Sequence, residues 1–318
     1  MLQKITVFFF SFLLFCLSIP VSGLGAAKTN TLRLALLPIP DVLPVYVAQE
    51  KGYFSELGIS VEALPVGSAL ERDQLMQAGR IDGMINDILS AANFNREQGR
   101  VKIVSIARSP LGESPLFRIL GAPGSDLKTV KGLAGIPIGI SKNTVIEYIS
   151  TRLLAADGVA AEAISYASVP ILPQRLQLLL SGQLKAAALP DPLGASAIKA
   201  GAVEIVNDTR LSKVSASVIT FSNETLLHKQ EVVRSFMAAW DKAAAEINRD
   251  PASFQNLMLQ KIRVPKNIES DFRPPPIPRK AVPTKAQWDD VMAWMLNKNI
   301  LSTPLAYEDS VTSDFLAR

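Results

Sequence analysis

The chain has little of the residue chemistry on which many enzymes and metal proteins depend. Its 318 residues include one cysteine, Cys16, and one histidine, His228. Zinc clusters of cysteines and histidines, and disulfides within the chain, need more than one such residue, so the composition excludes them. A G-x-S-x-G turn is also lacking, and no second histidine or cysteine is there to complete a triad. We therefore predict no metal site, no cofactor and no enzymatic activity.

The chain also has only a small excess of positive over negative charge. Lys and Arg number 33 against 29 Asp and Glu, which gives a net charge of +4. This excess is small and scattered, whereas nucleic-acid binding needs a concentrated basic face, so we expect no nucleic-acid partner. Hydrophobic residues make up 48% and charged residues 19%, a balance that excludes intrinsic disorder. The length suits two domains of roughly 100–150 residues each.

A short apolar run near the start indicates export. Residues 5–19 carry no charge, Pro20 ends the run, and small residues follow. This pattern is typical of a cleaved signal peptide, and the run is shorter than the roughly 20 residues of a membrane anchor, the alternative interpretation. We predict a signal peptide at 1–27, which would include Cys16. The mature protein would then begin near Lys28 and lie in the periplasm.

Behind this segment, short strands alternate with helices, which predicts an α/β fold with mainly parallel sheets flanked by helices. The predicted strands are 32–37, 59–64, 81–85, 101–107, 116–120, 137–140, 163–169, 185–189, 203–206 and 215–221. The predicted helices are 45–51, 69–78, 88–98, 145–156, 173–180, 193–200, 228–248, 285–297 and 310–316. We find no internal repeat.

Two of these strands interrupt the alternation. No helix of a βα unit follows the strands at 116–120 and 217–221. We interpret them as two crossing strands that join two lobes, and as a two-stranded hinge if they pair. The first lobe would be discontinuous, comprising 28–112 plus 222–318, and the second, at 113–221, would be inserted into it.

Polar residues follow several of the predicted strands. In open α/β sheets, ligands bind outside the carboxyl ends of the strands, where helices begin. The turns at such positions are 38–44, 66–69, 86–87, 108–109, 141–144 and 190–192. We predict hydrogen-bond donors for a ligand from Ser68, Asn143 and Thr144. We predict acceptors from Asp41, Asp87, Glu147 and Asp191.

The same residues have a simpler interpretation. Ser68-x-x-Glu71 and Thr144-x-x-Glu147 both match the capping box that starts a helix, and aspartates cap helices without any ligand. The charge of the ligand stays open at this point. A cluster of carboxylates favours a cationic or donor-rich ligand, whereas Arg108 or Lys142 would favour an anion.

Four segments carry a resemblance to a known family. They are DVLPVYVAQEKGYFSELGISVE at 41–62, LMQAGRID at 75–82, GIPIGISKNT at 135–144 and GQLKAAALPDP at 182–192. Together they resemble the solute-binding proteins of ABC importers, most closely the group for nitrate, sulfonate, taurine and thiamine-pyrimidine precursors. The resemblance covers nearly the whole mature chain. It implies the type II periplasmic-binding fold, one ligand in a cleft formed by the turns above, and delivery to a membrane permease.

The sequence therefore predicts an exported, monomeric, non-catalytic protein that closes two lobes on a small polar solute. The solute would be a polar organic molecule or an oxoanion: a sulfonate, nitrate or a pyrimidine-like compound. Pyrimidine-synthesising relatives use histidines and cysteines that the mature chain lacks, so their chemistry is not expected here. Two alternatives stay open. One is an enzyme on the same fold that uses carboxylate acid/base chemistry, and the other is a ligand-sensing partner of a membrane receptor.

Overall fold

A computed structural model describes residues 30–211 and 213–317, so the predicted signal peptide at 1–27 and the start near Lys28 lie outside the described residues. The described part contains ten strands and twelve α-helices, and the last five helices follow one another after the last strand. None of its helices has both the length and the apolar character needed to cross a membrane.

The elements are as follows. The strands are β1 (Thr31–Leu36), β2 (Ser60–Pro65), β3 (Gly83–Asp87), β4 (Val101–Arg108), β5 (Phe117–Gly121), β6 (Pro137–Ile140), β7 (Ser165–Ser168), β8 (Ala186–Pro190), β9 (Val203–Asn207) and β10 (Ser217–Ser222). The helices are α1 (Leu43–Glu50), α2 (Tyr53–Glu56), α3 (Ala69–Gln77), α4 (Ile88–Asn95), α5 (Val145–Ala156), α6 (Leu172–Leu180), α7 (Leu193–Lys199), α8 (Asn223–His228), α9 (Gln230–Arg249), α10 (Gln255–Lys261), α11 (Lys285–Asn297) and α12 (Tyr307–Ser310).

The strands form two five-stranded sheets of matching topology. The first has the order β2-β1-β3-β10-β4 and the second the order β7-β6-β8-β5-β9. Within each sheet four strands run in one direction, and the fourth position holds a strand antiparallel to both of its neighbours, β10 in the first sheet and β5 in the second. The predicted α/β fold of two lobes with mainly parallel sheets is confirmed.

The two crossing strands do not pair with each other, so they do not form a two-stranded hinge. β5 pairs with β8 and β9, and β10 pairs with β3 and β4, so the two strands lie in different sheets. The backbone groups of each strand are used by neighbours in its own sheet, which leaves none for a hinge ladder. The predicted lobe limits put 217–221 at the end of the second lobe, whereas the ladder puts β10 in the first sheet.

Helices cover both faces of each sheet. On the first sheet, α1, α9 and α10 bury one face, where Leu34, Phe221 and Phe236 are almost fully buried. On its other face lie α3, α4 and α11, and this apolar cluster continues without a break to α5 on the second sheet. Trp288 of α11 is fully buried there, and its indole N–H donates to the carbonyl of Leu305 at 2.8 Å. The two lobes therefore share one apolar core on this side.

The chain end differs from the prediction. The expected helix at 310–316 is wrong, because α12 ends at Ser310 and the chain then runs beside β4. Val311 forms a parallel bridge with Ile103, and the N–H of Thr312 donates to the carbonyl of Ile103 at 2.9 Å. The exposed edge of β4 offers these backbone groups, so the segment is extended rather than helical.

Candidate functional site

The chain passes twice between the two sheets: the first crossing joins β4 to β5, and the second joins β9 to β10. Both crossings lie at the carboxyl ends of the parallel strands. β4 ends at Arg108, and the first crossing leads to Phe117, which pairs with Pro190 at the carboxyl end of β8. The second crossing leads from β9 to Ser217, which pairs with both Asp87 and Arg108 at the carboxyl ends of β3 and β4. Since ligands of open α/β sheets bind at such ends, the candidate site lies between these two edges.

Three of the helices that begin at these edges have a predicted site residue as their N-cap. The Oγ of Ser68 accepts from the Glu71 N–H at 3.2 Å, and Asp87 accepts from the Ser90 N–H at 2.8 Å. The Oγ1 of Thr144 accepts from the N–H of the second helical residue at 3.2 Å. Each cap satisfies only some of the free N–H groups of its first turn. The simpler interpretation, helix initiation, is therefore confirmed for these three residues.

The two predicted capping boxes share one departure from the standard pattern. Glu71 Oε2 accepts from the N–H of Gly67 at 2.7 Å, and Glu147 Oε2 accepts from the N–H of Asn143 at 2.6 Å. In both cases the donating N–H belongs to the residue before the N-cap, not to the N-cap itself. Asn143 adopts φ 58°, the left-handed conformation that asparagine tolerates.

Asp41 lies against a buried arginine. Its Oδ2 is 3.6 Å from Nη1 of Arg108, and both side chains are almost fully buried. The Nη2 of Arg108 donates to the carbonyl of Pro115 in the first crossing at 2.8 Å, while its Nε has no hydrogen-bond partner among residues 30–211 and 213–317. Arg108 therefore neutralises Asp41 and joins the end of β4 to the crossing.

Asp191 is also neutralised within the chain. Arg118 binds both of its carboxylate oxygens, at 2.8 and 2.9 Å, and also contacts Glu204. Asp191 Oδ1 accepts in addition from the N–H of Ala195 at 3.1 Å. Burial alone would lower the pKa of Arg118, but the hydrogen bonds and charges of the two carboxylates raise it. The partners of the Asp191 carboxylate therefore all lie in its own lobe.

Glu147 joins the two lobes. It is 2% exposed, and its Oε1 lies 2.6 Å from Nζ of Lys298, which follows α11. The next residue of α5, Tyr148, donates its hydroxyl to Asp290 of α11 at 2.6 Å. α11 packs on α4 of the first sheet, so these bonds bridge the lobes. The site carboxylates therefore do not form the unpaired acidic cluster that would favour a cationic ligand.

A second bridge lies on the opposite side of the sheets. Ser196 of α7 donates its hydroxyl to Asn267 Oδ1 at 2.8 Å, and Asn267 Nδ2 donates to the Ser196 carbonyl at 3.0 Å. Lys199 forms an exposed ion pair with Asp271 at 2.9 Å nearby. The two lobes are in contact on both sides of the candidate site.

Sequence reasoning missed Arg175, and it placed Ser141 in a candidate turn without including it among the predicted site residues. Arg175 is 0% exposed, and its guanidinium donates to the hydroxyl of Ser141 in the turn after β6. Lys142, next in this turn, is exposed and makes no hydrogen bond or ion pair with the rest of the described chain. The turn that carries Asn143 and Thr144 is therefore bordered by two cations.

Asp208 ties the two crossings together. It is 0% exposed, and its two oxygens accept from the N–H groups of Leu116 and Phe117 at 3.0 and 3.2 Å. Burial raises the pKa of Asp208 to about 6, against the lowering effect of the hydrogen bonds from these N–H groups and of the charge of Arg108. A carboxylate, not a β-ladder, joins the crossings.

Asp208 makes the stability of the protein depend on pH. Its ordinary pKa of 3.8 applies when the chain is unfolded, and about 6 when it is folded. Between these values the unfolded chain loses the proton first, so stability falls as pH rises, by about 3 kcal/mol in total. We expect Asp208→Asn to lose hydrogen bonds. Between pH 4 and pH 7, however, its free energy of unfolding should rise by about this amount relative to that of the wild type, because only the wild type loses stability through this group.

Urea unfolding of both proteins at several pH values measures this difference. Asp126→Asn, at an exposed aspartate, is the control and should follow the wild type at every pH. A constant gap between Asp208→Asn and wild type from pH 4 to pH 7 would show that Asp208 has no raised pKa.

Two surface depressions lie away from these strand ends. One, of about 310 Å³, is lined by residues that include Lys102, Arg234 and Phe315. The other, of about 580 Å³, lies between α11 and the segment before α12 and includes Met292 and Tyr307. Neither contains a predicted site residue. Within residues 30–211 and 213–317, no group of acidic, histidine or cysteine side chains is arranged to hold a metal ion.

Comparison with known proteins adds a family match. The sequence model of a family described as NMT1/THI5 like matches residues 39–253. A curated relative from Brachyspira hyodysenteriae, named an ABC transporter periplasmic binding protein, is 22% identical over 244 residues, covering 71% of this chain and 68% of its own.

Solved structures share the fold. The periplasmic aliphatic sulphonate binding protein SsuA from Escherichia coli superposes with a TM-score of 0.73 at 15% identity, covering 89% of this chain and 92% of its own. The desulfurization enzyme DSZB superposes with a TM-score of 0.66 at 17% identity, covering 90% and 97%. Because a binding protein and an enzyme both have this fold, the fold alone does not assign an activity.

Proposed function

The chain belongs to the NMT1/THI5-like family, and on that premise we propose that it is the periplasmic solute-binding component of an ABC importer. The relative named as a periplasmic binding protein of an ABC transporter supports this role. The predicted export signal agrees with it. In this role the protein would act as a monomer and deliver its solute to a membrane permease.

The observation that carries the proposal is the arrangement of the two facing sheet edges. The helices that begin at Ala69, Ile88 and Val145 direct the positive ends of their dipoles to these edges. Asp41, Asp191 and Glu147 are paired with cations within the chain, so they do not cancel this potential for a ligand. Asp87 caps α4 and has no ion pair among the described residues. The arrangement favours a small anion over a cation, and among the predicted solutes it favours a sulfonate or nitrate.

Within this site we assign the donor role to the hydroxyl of Ser68, the side-chain amide of Asn143 and the backbone N–H of Thr144. The hydroxyl of Thr144 is not available, because it donates to the carbonyl of Ser141 at 2.7 Å. The predicted acceptor role is less favoured for the carboxylates. Asp41 and Asp191 hold arginines, and Glu147 holds Lys298. These carboxylates would position the cations and loops around the solute without touching it.

Closure of the lobes would couple binding to transport. A solute that contacts both lobes stabilises the closed state only by the contacts that it makes there and not in the open state. The bridges from α5 and α7 belong to the closed state, and the crossings tied by Asp208 are the part about which the lobes would rotate. A permease can then distinguish the closed, loaded form from the open one.

An enzymatic role has less support. Acid/base catalysis by a carboxyl group requires a suitably shifted pKa together with access to the substrate. Among the described residues, the carboxyl groups with a raised pKa are Asp73 and Asp208, in both cases because of burial. Asp73 is paired with Arg72, and Asp208 is fully buried against the backbone of the first crossing. Neither side chain is placed to transfer a proton to a bound solute.

A thermal-shift panel tests the proposal. The probes are ethanesulfonate, nitrate, a hydroxymethylpyrimidine, an amino acid and a diamine, with ethyl methyl sulfone as the uncharged match of ethanesulfonate. We expect an anion to stabilise the protein, by about 2.7 kcal/mol at a hundred times its Kd. Mass spectrometry should recover the bound probe unchanged. Stabilisation by the diamine alone would contradict the anionic class, and conversion of the probe would contradict the binding role.

A further inference from the structure

The second lobe holds a buried cation with no carboxylate partner. Arg175, in the first turn of α6, is 0% exposed. It donates from Nε to the carbonyl of Val169 and from Nη1 to the carbonyl of Ala188, both at 2.8 Å, and from Nη2 to the hydroxyl of Ser141. No carboxylate in the described part of the chain lies within ion-pair distance of it. Burial lowers the pKa of Arg175 to about 10, so it stays charged at neutral pH.

The first lobe contains a matching arginine in the first turn of a helix, but there a carboxylate balances its charge. Arg72, the fourth residue of α3, donates from Nη1 to the carbonyl of Ile85 at 3.1 Å, and Arg175 is the fourth residue of α6. Each arginine reaches a carbonyl 13 residues further on. Gly79 and Gly182, seven residues after their arginines, both adopt positive φ. An internal repeat is therefore present that the sequence analysis did not find.

The two copies differ in what the rest of the guanidinium contacts. Arg72 is paired with the carboxylate of its neighbour Asp73 at 2.8 Å. In the second lobe the matching neighbour is Leu176, and the guanidinium instead reaches the turn at Ser141. A buried charge without a counter-ion is costly, and a fold retains it where something else supplies the opposite charge.

Ser141 connects this charge to the candidate site. An arginine only donates, so the Oγ of Ser141 must accept from Arg175, and its own proton is left to donate. Among residues 30–211 and 213–317, the only acceptor that the hydroxyl meets is the carbonyl of Pro170, at 3.4 Å, which is near the limit of a hydrogen bond. The same turn carries Asn143 and Thr144. An oxyanion at this turn would offer the hydroxyl a stronger acceptor.

We propose that Arg175 is a positioning residue that selects an anionic group of the solute, by fixing Ser141 as a donor and supplying the positive charge behind it. The proposal rests on the proposed function and assigns the anion to the second lobe. Arg175 does not touch the solute. Its one guanidinium contacts Ser141 and Val169, just beyond the ends of β6 and β7, and Ala188 in the middle of the adjacent β8. The turn is therefore formed before the solute arrives.

The test compares ethanesulfonate with ethyl methyl sulfone, which has a similar shape without the charge. Titration calorimetry gives the ratio of their affinities for wild type, Arg175→Met, Arg175→Lys and Arg72→Met. We expect Arg175→Met to lower the affinity for ethanesulfonate by about 10- to 100-fold, because a unit charge near a partly buried anion is lost. The affinity for the sulfone should stay within about threefold of the wild-type value. Arg175→Lys keeps the charge and should restore much of the preference.

Arg72→Met is the matched control. It removes one positive charge and the same strand contact, but at a site whose charge Asp73 balances, so the affinity ratio should stay at the wild-type value. Loss of structure would lower the affinities for both probes together and leave the ratio of the two affinities unchanged. If Arg175→Met does not fold, Arg175→Lys and Ser141→Ala carry the test, and Ser141→Ala should lower the ratio.

The outcomes separate the two proposals. A wild-type ratio in Arg175→Met, with ethanesulfonate still bound, would overturn the role of Arg175 and leave the binding function intact. Binding of neutral probes only by the wild type would overturn the anion assignment. Binding of no small solute by the wild type would overturn both the proposed function and the role of Arg175.

Discussion

Arg118→Met is expected to lower the free energy of unfolding by about 3–5 kcal/mol, the usual cost of leaving one partner of a buried ion pair without the other. Arg118 binds both oxygens of Asp191, whose side chain is 4% exposed. It also contacts Glu204 in the next strand. Gly194 packs so closely that a Cβ there would lie 2.8 Å from Asp191 and 2.9 Å from Arg118, which leaves little room for water to replace the guanidinium.

Urea unfolding followed by circular dichroism measures this loss. The control is Lys285→Met, which breaks an ion pair with Asp289 whose side chains are 62% and 54% exposed. Exposed pairs contribute about 0–1 kcal/mol, so this variant should stay near the wild type. The double variant Arg118→Met/Asp191→Asn should recover part of the loss, because the carboxylate charge is gone. Equal stability of Arg118→Met and Lys285→Met would contradict the buried pair.

Lys298→Met is expected to weaken solute binding by about 10- to 100-fold, or about 1.4–2.8 kcal/mol. Lys298 lies beyond α11 and pairs with Glu147 in the first turn of α5. Without the ammonium, the buried carboxylate keeps the N–H of Asn143 as its remaining partner. Separation of the lobes would let water reach Glu147, so the open state gains relative to the closed one and the apparent affinity falls.

Titration calorimetry with the bound anion measures the affinity, and solution scattering measures the separation. Lys199→Met is the matched control, since its pair with Asp271 also joins the lobes but has side chains 56% and 55% exposed. Its affinity should stay within about twofold of wild type. Equal affinities for Lys298→Met and wild type would show that the Glu147 contact does not stabilise the closed state.

Local patterns in the sequence predicted much of the fold. The helix predicted at 145–156 is α5, Val145–Ala156, because Thr144 caps it and its apolar residues recur at helical spacing. Ser68 and Asp87 were identified as caps in the same way. The two-lobe arrangement followed from strands that break the βα rhythm. These signals depend on neighbours within a few residues, and such signals are visible in one sequence.

The charges around the site could not be predicted in this way. Asp191 meets Arg118 across 73 residues, and Glu147 meets Lys298 across 151, so only the folded chain brings the partners together. From the sequence alone, the carboxylates looked like a cluster that would repel anions. The repeat around Arg72 and Arg175 was hidden because the two segments share spacing and few residue identities. Its signal was an arginine seven residues before a glycine, which is too common to stand out.

The central claim is that two lobes close on a solute between the facing sheet edges. Small-angle X-ray scattering of the wild-type protein, with and without the anion that stabilises it most, tests this claim most directly. The account predicts a smaller radius of gyration when the anion is bound, and no change with ethyl methyl sulfone at the same concentration. An identical scattering curve with saturating anion would contradict it.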